Sequence, residues 1–221
     1  MAEVTVIRVE PQRMKTLREE LGNEDTPRVY NDSNVLVREL FWRRFEALLA
    51  LSAVPERRRV LDFGGGNGVL MPTISRLYQE VTCVDLRTEM AQEIVRSEHL
   101  ENVQLHSADL ASLALPDASF DTIIAADVLE HILDLDDLIQ EFQRLLVPGG
   151  ELLVSAPTEN AFYRLGRLVF RYEKPDDHYH ESAFIESTVG HRLPMAKRRF
   201  FPVNVQPLGV FSLGRYVRGE A

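Results

Sequence analysis

The sequence has few of the residues that stabilise secreted or membrane-spanning proteins. Cys83 is the single cysteine among 221 residues, which excludes an internal disulfide framework and a cysteine-rich metal site. The longest stretch without a charged side chain, residues 200–214, spans 15 residues with two prolines and is too short to cross a bilayer. Acidic residues crowd the N-terminus, where a signal peptide would be basic and then apolar. These absences predict a soluble, cytoplasmic protein.

Basic residues are scarce in the middle of the chain. The whole sequence has 34 acidic and 25 basic residues, for a net charge of −9, which disfavours a protein that grips nucleic-acid phosphates. Residues 60–160 contain 18 acidic and 4 basic residues, whereas residues 161–221 contain 6 acidic and 10 basic residues. The length fits one domain at 56–221, preceded by a lead-in and a helix at 1–55 that packs on the core.

Short apolar runs alternate with stretches of helical periodicity. Strands are predicted at 60–63, 81–85, 103–106, 120–126 and 151–155, with helices between them, one of which begins after Asp134 and is stopped by Pro148-Gly149-Gly150. This alternation is typical of a parallel sheet with helices on both faces. An earlier helix is expected to begin at Asp32 or Ser33, with Arg44 outside its apolar stripe. A short helix is predicted at 181–189, closed by Gly190. The last two runs, 199–205 and 208–217, predict an antiparallel pair joined by a short connection.

A glycine-rich turn, with the sequence VLDFGGGNGVL at 60–70, joins the first of these strands to a helix. Glycine lets a ligand approach the backbone closely, and the N-terminus of a helix presents free N–H groups. Asp62 suits a ligand with a positive amino group and would repel a pyrophosphate. Asp85, at the end of the next strand, can accept two ribose hydroxyls. The turn matches neither the dinucleotide G-x-G-x-x-G/A pattern nor a P-loop; a glycine turn without a ligand is the alternative.

These motifs resemble the class I S-adenosylmethionine-dependent methyltransferases, specifically the type 11 domain of enzymes that act on small molecules, among them quinone-biosynthesis enzymes. The resemblance covers residues 60–157 and rests on D-x-G-x-G-x-G at 62–68, Asp85, A-D-L at 108–110, F-D…D-V-L-E-H at 120–131 and L-L-V-P-G-G at 145–150. It implies a Rossmann-like, doubly wound sheet of seven strands, mostly parallel with an antiparallel last strand. It also implies an N-terminal helix and a helical lid after strand five, at 160–190.

The resemblance further implies an S-adenosylmethionine site, with S-adenosylhomocysteine as the product. The methionine part would contact the backbone of Gly64, Gly65, Gly66, Asn67 and Gly68, with Asp62 near its amino group and Ala126 beside it. The nucleoside would contact Asp85 through the ribose and Leu86, Asp109 and Leu110 through adenine. The alternative role for Asp85 and Asp109 is helix capping or turn formation.

His131 is the candidate catalytic base, since the pKa of histidine lies near the working pH and an oxygen or nitrogen nucleophile must lose a proton. The alternative is that His131 only orders the loop after the fourth strand. Glu130 either helps to orient His131 or contacts the substrate. His178, Tyr179 and His180 lie where a lid would cover the acceptor and are alternative bases or polar loop residues. Two histidines alone are a weak metal signal, and the family chemistry implies no metal.

The segment after residue 160 predicts an amphipathic helix. Its apolar stripe is Phe162, Leu165, Val169 and Tyr172, and its basic stripe is Arg164, Arg167 and Arg171. The sequence favours a basic stripe that is a solvated face, with the apolar stripe packed inside. The alternative is contact with an anionic or lipid-linked substrate at a membrane surface.

The sequence thus predicts a methyltransferase that acts on a small molecule, on oxygen rather than nitrogen or carbon. Ala125-Ala126-Asp127-Val128 stands where the family's nucleic-acid enzymes carry a Pro-Pro-aromatic element, which argues against a nucleic-acid substrate. The alternatives are a domain that binds the cofactor without turnover and, third, a dehydrogenase.

Overall fold

Seven strands form one sheet in a computed structural model that describes residues 4–22, 28–170, 172 and 178–220. The strands are β1 Arg59–Phe63, β2 Glu80–Asp85, β3 Val103–Ser107, β4 Phe120–Ala126, β5 Leu146–Pro157, β6 Met195–Phe201 and β7 Phe211–Val217. Their order is β3-β2-β1-β4-β5-β7-β6, and β7 runs antiparallel to both of its neighbours while the other pairings are parallel. The predicted Rossmann-like sheet is confirmed.

Helices cover both faces of the sheet. They are α1 Pro11–Glu20, α2 Val35–Leu49, α3 Met71–Leu77, α4 Glu89–Ser97, α5 Leu135–Leu145, α6 Ala161–Phe170 and α7 Ser182–Arg192. One apolar core joins the sheet to α2, α3 and α4 through side chains such as Trp42, Ile74 and Met90. The second core joins the sheet to α5 and α7 through Phe142 and Ile185. Within the described part of the chain, no helix is long and apolar enough to span a membrane.

Helix α2 differs from its prediction at two points. Its N-cap is Asn34, whose side-chain oxygen accepts a hydrogen bond from the Leu36 N–H at 2.9 Å, because Asp32 instead accepts from the backbone of Asn34. Arg44 was expected outside the apolar stripe and is 1% exposed. Since Arg44 lies four residues after Leu40, helical periodicity puts it on the buried face.

Three predictions about connections are wrong. The Pro148-Gly149-Gly150 segment lies inside β5, where extra residues bulge out between the Phe120–Leu146 and Thr122–Glu151 pairs. Helix α7 continues through Gly190 to Arg192, since the Leu193 N–H still donates to the Val189 carbonyl. Strands β6 and β7 do form the expected antiparallel pair, but residues 202–210 make their connection longer than predicted.

Candidate functional site

The carboxyl ends of β1, β2 and β4 meet at one edge of the sheet, because β1 pairs in parallel with both of the others. The glycine turn at 64–68 crosses this edge, and Gly64 and Gly68 have positive φ angles of 79° and 72°. A Cβ atom on Gly65 would lie 2.0 Å from an Asp62 carboxylate oxygen, and one on Gly66 would lie 2.0 Å from the Arg87 carbonyl oxygen. The protein's own packing therefore requires glycine at these two positions, whether or not a ligand is bound.

Asp85 ties the glycine turn to the end of β2. Its Oδ2 accepts a hydrogen bond from the Gly66 N–H, and its Oδ1 accepts one from the Arg87 N–H, both at 2.9 Å. Each carboxylate oxygen has a second acceptor position, so these bonds leave capacity for two further donors. The residue expected to hold ribose hydroxyls is thus fixed in orientation by the backbone around it.

Asp62 is a buried carboxylate at the base of the turn. Its side chain is 2% exposed, and its Oδ2 atom has no hydrogen-bond partner. Burial first, and then the negative charge of Asp85, raise the pKa of Asp62 to about 7. A desolvated carboxylate of this kind is a fitting partner for a ligand's ammonium group.

A cavity opens over Asp62 and the glycine turn. Its lining includes Gly64, Gly65, Asn67 and Ala126, all of which were predicted to contact the methionine part of the cofactor. Tyr30 and Phe45 also line it, and the two rings stack with centroids 6.0 Å apart. Sequence analysis does not predict Tyr30 at the site, because it lies in a segment of weak periodicity, whereas Phe45 is on the apolar stripe of α2.

A buried polar network lies behind this cavity. Arg44 forms an ion pair with Asp127 and donates a hydrogen bond to the Tyr30 hydroxyl at 3.0 Å. Asp127 also accepts from the Ser155 hydroxyl at 2.8 Å. Burial lowers the pKa of Arg44, and Tyr30 opposes that shift. This network, which sequence reasoning missed, links the N-terminal helix to the loop after β4.

The three residues expected at adenine have different surroundings. Leu86 is 74% exposed at the end of β2, whereas Leu110 is buried at 3% exposure. Asp109 accepts a hydrogen bond from the Ala111 N–H at 2.9 Å and caps the 3-10 turn Leu110–Leu113. The structure thus records the capping role for Asp109, and its contact with adenine stays a prediction.

His131 and His178 come together across 47 positions of sequence. Their rings meet edge to face with centroids 4.8 Å apart. Two consecutive N–H groups, those of Tyr179 and His180, donate to the Glu130 carbonyl at 2.8 and 3.4 Å and hold the second histidine segment against the first. The two alternative locations for a base therefore form one cluster, while Tyr179 points outward with 51% exposure.

Helix α6 differs from its prediction mainly in its apolar stripe, while Arg164 of the basic stripe is exposed as predicted. Phe162, Leu165 and Val169 are exposed, and no residue of the helix is buried. Arg167, by contrast, forms an ion pair with Glu159 at 2.7 Å with only 14% of its side chain exposed. The expectation of a packed apolar stripe is wrong for these three residues; Tyr172 does pack against the core, and Arg171 lies outside the described residues.

Comparison with known proteins agrees with this geometry. A family profile described as "Methyltransferase domain" matches residues 61–154. The ubiquinone/menaquinone biosynthesis C-methyltransferase UbiE of Hahella chejuensis is 35% identical over 127 residues, which cover 53% of this chain and 50% of UbiE. UbiE of Azotobacter vinelandii is 34% identical over 139 residues, covering 59% of this chain and 54% of the relative. The chain spans about half the length of these curated relatives.

Solved structures share the fold over nearly the whole chain. The N-methyltransferase NodS of Bradyrhizobium japonicum, in complex with S-adenosylhomocysteine, is 20% identical with a TM-score of 0.66 and covers 94% of this chain and 99% of its own. A SAM-dependent methyltransferase from Aquifex aeolicus is 20% identical with a TM-score of 0.65 and covers 95% and 98%. Residues 61–154 thus match a methyltransferase domain, and the chain shares the fold of solved S-adenosylmethionine-dependent methyltransferases.

Proposed function

We propose that this protein transfers a methyl group from S-adenosylmethionine to an oxygen atom of a small-molecule acceptor. The observation that carries the proposal is the position of the His131 turn. Val128 packs on the glycine turn so tightly that a Cβ atom on Gly64 would lie 2.4 Å from its Cγ2 atom. The 3-10 turn Leu129–His131 follows directly, so the histidine cluster is beside the cofactor cavity.

The residues of the cavity fit the cofactor. Asp62 offers an unpartnered carboxylate oxygen for the ammonium group, and Asp85 offers acceptor positions for the ribose hydroxyls. Tyr30 and Phe45 close the cavity from the side of the N-terminal helix. When bound, S-adenosylmethionine supplies a methyl group on a positively charged sulfur: the C–S bond breaks as the C–O bond forms, and the electron pair stays on sulfur. The protein's own work is alignment and exclusion of water.

His131 takes the proton that the acceptor's hydroxyl loses. The neighbouring His178 ring holds His131 in place, and Glu159 lies 3.4 Å from the Nδ1 atom of His178. Only part of the segment 160–190, where a lid is expected, is free of the core and able to act as one. Helix α7 packs on α5 and β7 as part of the core, so α6 and the segment that begins at His178 are the elements placed to cover the acceptor.

Calorimetry and a methyl-transfer assay test the proposal together. Wild-type protein is expected to bind S-adenosylmethionine and to release S-adenosylhomocysteine when a hydroxylated acceptor is present. Binding without turnover across a broad acceptor panel would favour the alternative of a non-catalytic cofactor-binding domain. The fold alone does not decide the reaction, since the [4+2]-cyclase SpnF shares it with a TM-score of 0.65 at 16% identity. No heat of binding at high cofactor concentration would overturn both.

Carbon methylation is the second candidate reaction, because the curated relatives are named as C-methyltransferases. The two reactions give distinguishable products from the same phenolic acceptor. O-methylation removes an ionisable hydroxyl and leaves all ring protons, whereas C-methylation removes a ring proton and keeps the hydroxyl. NMR of the product therefore decides between them.

The affinity for S-adenosylhomocysteine is expected to depend on pH through Asp62. With a pKa of about 7, Asp62 is mostly protonated at pH 6 and mostly ionised at pH 8. A protonated carboxyl gives up its proton before it can pair with an ammonium group, which costs about 1.4 kcal/mol per pH unit below that pKa. Affinity should therefore rise about tenfold between pH 6 and pH 8, as measured by calorimetry.

Asp62→Asn is the matched control for this pH dependence. The variant keeps the size of the side chain and loses the titration, so the ratio of wild-type to variant affinity isolates Asp62 from any titration of the ligand. We expect this ratio to increase with pH. A ratio that stays constant from pH 6 to pH 8 would show that Asp62 is not the partner of the amino group.

A lipid-linked acceptor is the form of substrate that α6 supports. Leu165 and Leu168 project from the helix with 55% and 76% exposure, beside the exposed Arg164. Arg164 lines a surface pocket with Phe200 of β6, so a positive charge borders this apolar face. An apolar helix face with a basic margin fits the surface of an anionic bilayer.

Flotation with anionic vesicles tests this surface. Wild-type protein is expected to float with the vesicles, and the double substitution Leu165→Glu/Leu168→Glu should reduce the bound fraction roughly tenfold, because it removes apolar burial and adds negative charge. Leu36→Glu is the control, since Leu36 is equally exposed, at 73%, on helix α2. Equal flotation of all three proteins would remove α6 as a membrane contact.

A further inference from the structure

We propose that Glu130, His131 and His178 bind a divalent transition-metal cation such as Zn²⁺ beside the cofactor cavity. One ligand atom from each of the three side chains lies within 4.8 Å of those of the other two. Glu130 is buried, and the two histidines are partly buried. The site rests on these positions alone; the proposed methyl transfer enters only in what the cation would do there.

The ligand set is one that metal chemistry selects. Two histidine nitrogens and one glutamate oxygen hold Zn²⁺ in hydrolytic enzymes and leave a fourth position for water or substrate. The same donors suit other divalent first-row cations, whose geometry and availability decide which one is bound. Ligands at about 2.1 Å from a shared tetrahedral cation are about 3.4 Å apart, so a side-chain movement of about 1 Å closes the observed cluster around an ion.

The surroundings of His178 supply the outer contacts that metal-binding histidines have. Glu159 lies 3.4 Å from the Nδ1 atom of His178, and both side chains are 8% exposed. Arg167 in turn binds Glu159 at 2.7 Å. The 3.4 Å separation is an ion-pair distance, and a small rotation that made it a hydrogen bond would orient the other ring nitrogen of His178 toward a metal ion. The Arg167–Glu159 pair is therefore assigned a positioning role.

The charges around the cluster also suit a cation. Three carboxylates, those of Asp127, Glu130 and Glu159, and two guanidinium groups, those of Arg44 and Arg167, face this region. With neutral histidines, the group carries a net charge of −1. A divalent cation reverses that sign and leaves one positive charge beside the acceptor.

A cation here would deepen the proposed function. At its fourth position it would bind the acceptor's hydroxyl oxygen and lower the pKa of that hydroxyl, as Zn²⁺ does for a bound water. In that case the cation would replace His131 as the group that promotes loss of the hydroxyl proton: the proton would leave to solvent, and the acceptor's oxygen would attack the methyl group. Acceptors whose hydroxyl lies next to a second oxygen would be favoured, since both oxygens can bind one cation.

Calorimetry of the full chain with Zn²⁺, after treatment with a chelator, tests the site. We expect saturable binding of one ion, and with Co²⁺ in its place we expect visible absorption bands from a low-coordinate site. Both signals should be lost in Glu130→Gln and in His178→Ala. Glu159→Gln should weaken binding roughly 10- to 100-fold. His191→Ala is the control, because His191 is exposed on α7 outside the cluster.

The failure of this proposal is separable from failure of the proposed function. Asp85→Ala, which acts on the cofactor site, should bind Zn²⁺ as the wild type does, and a protein that transfers no methyl group can still bind the ion. The absence of saturable binding to wild-type protein would overturn the site, as would equal binding by wild type and by a folded Glu130→Gln variant. Circular dichroism establishes that each variant is folded, and S-adenosylhomocysteine binding adds a second check for the variants outside the cofactor site.

Discussion

Replacing Asp85 with alanine is expected to weaken S-adenosylmethionine binding about 100-fold. The carboxylate is placed to accept ribose hydroxyls, and a hydrogen bond to a charged group contributes about 1.5–3 kcal/mol. The substitution also removes the acceptor for the Gly66 and Arg87 N–H groups, both bonded to Asp85 at 2.9 Å. The lost ligand contacts and the loosened glycine turn both weaken binding. A 100-fold loss of affinity corresponds to about 2.8 kcal/mol.

Calorimetry with S-adenosylmethionine and S-adenosylhomocysteine measures this effect. Asp85→Asn should lie between alanine and wild type, because an amide keeps one acceptor oxygen without the charge. Asp117→Ala is the control, since Asp117 is an exposed carboxylate that pairs with Arg144 away from the turn. If Asp85→Ala binds within threefold of wild type while retaining its fold, Asp85 serves the turn and not the ribose.

The cofactor half of the molecule was predictable because its determinants are local. A strand, a glycine turn and a helix follow one another within residues 59–77. Each of them can be recognised from residues that are neighbours in the sequence. Asp62 and Asp85 each end or nearly end a parallel strand, so the rule that ligands collect at the carboxyl edge was enough to bring them together. The parallel pairing of β1 with β2 and β4 then follows from the alternation of strands and helices.

The other half of the site depends on contacts between distant segments. His178 reaches His131 only because two N–H groups of its segment bond to the Glu130 carbonyl, a long-range contact that no spacing encodes. Arg44 had a local signal, its helical register with Leu40, but its charge obscured that signal. Its partner Asp127 comes from a separate loop, and a buried arginine needs a partner of opposite charge.

The prediction that the apolar stripe of α6 is packed inside is wrong because this, too, depends on contacts that the local pattern does not encode. Helical periodicity separates an apolar from a basic face, and it does not say which face the rest of the protein covers. Glu159 binds Arg167 and holds this one basic side chain inward, whereas Arg164 stays exposed beside Leu165 and Leu168. The exposed apolar face of α6 is the surface that we propose to meet the acceptor or a bilayer.

Only some of the 18 acidic residues in the segment 60–160 bear on cofactor binding. Asp62 lines the cofactor cavity and Asp85 binds the glycine turn beside it, and the negative charge of Asp85 contributes to the raised pKa of Asp62. A ligand that carries an ammonium and a sulfonium against one carboxylate relieves this repulsion. Other acids, such as Asp117 and Asp136, pair with surface arginines.

The substitution His131→Ala is expected to lower kcat by about 10²- to 10⁴-fold, the usual contribution of a positioned general base. Cofactor affinity should stay within twofold of wild type, because the imidazole is not among the residues that line the cofactor cavity. The deficit should shrink as the pH rises toward the pKa of the acceptor's hydroxyl, since an acceptor that is already ionised needs no base. Single-turnover kinetics with saturating cofactor measures the chemical step directly.

His99→Ala is the control for this experiment, because His99 is an exposed histidine after α4 and outside the cluster of Glu130, His131 and His178. Comparison with Glu130→Gln separates the two roles open to His131. If the imidazole acts as the base, Glu130→Gln retains most of the activity and added chelator has no effect; if it acts as a metal ligand, both variants lose activity together and chelator abolishes that of the wild type. Turnover by His131→Ala equal to that of wild type at every pH would exclude both roles and leave His131 as a residue that only orders the loop after β4.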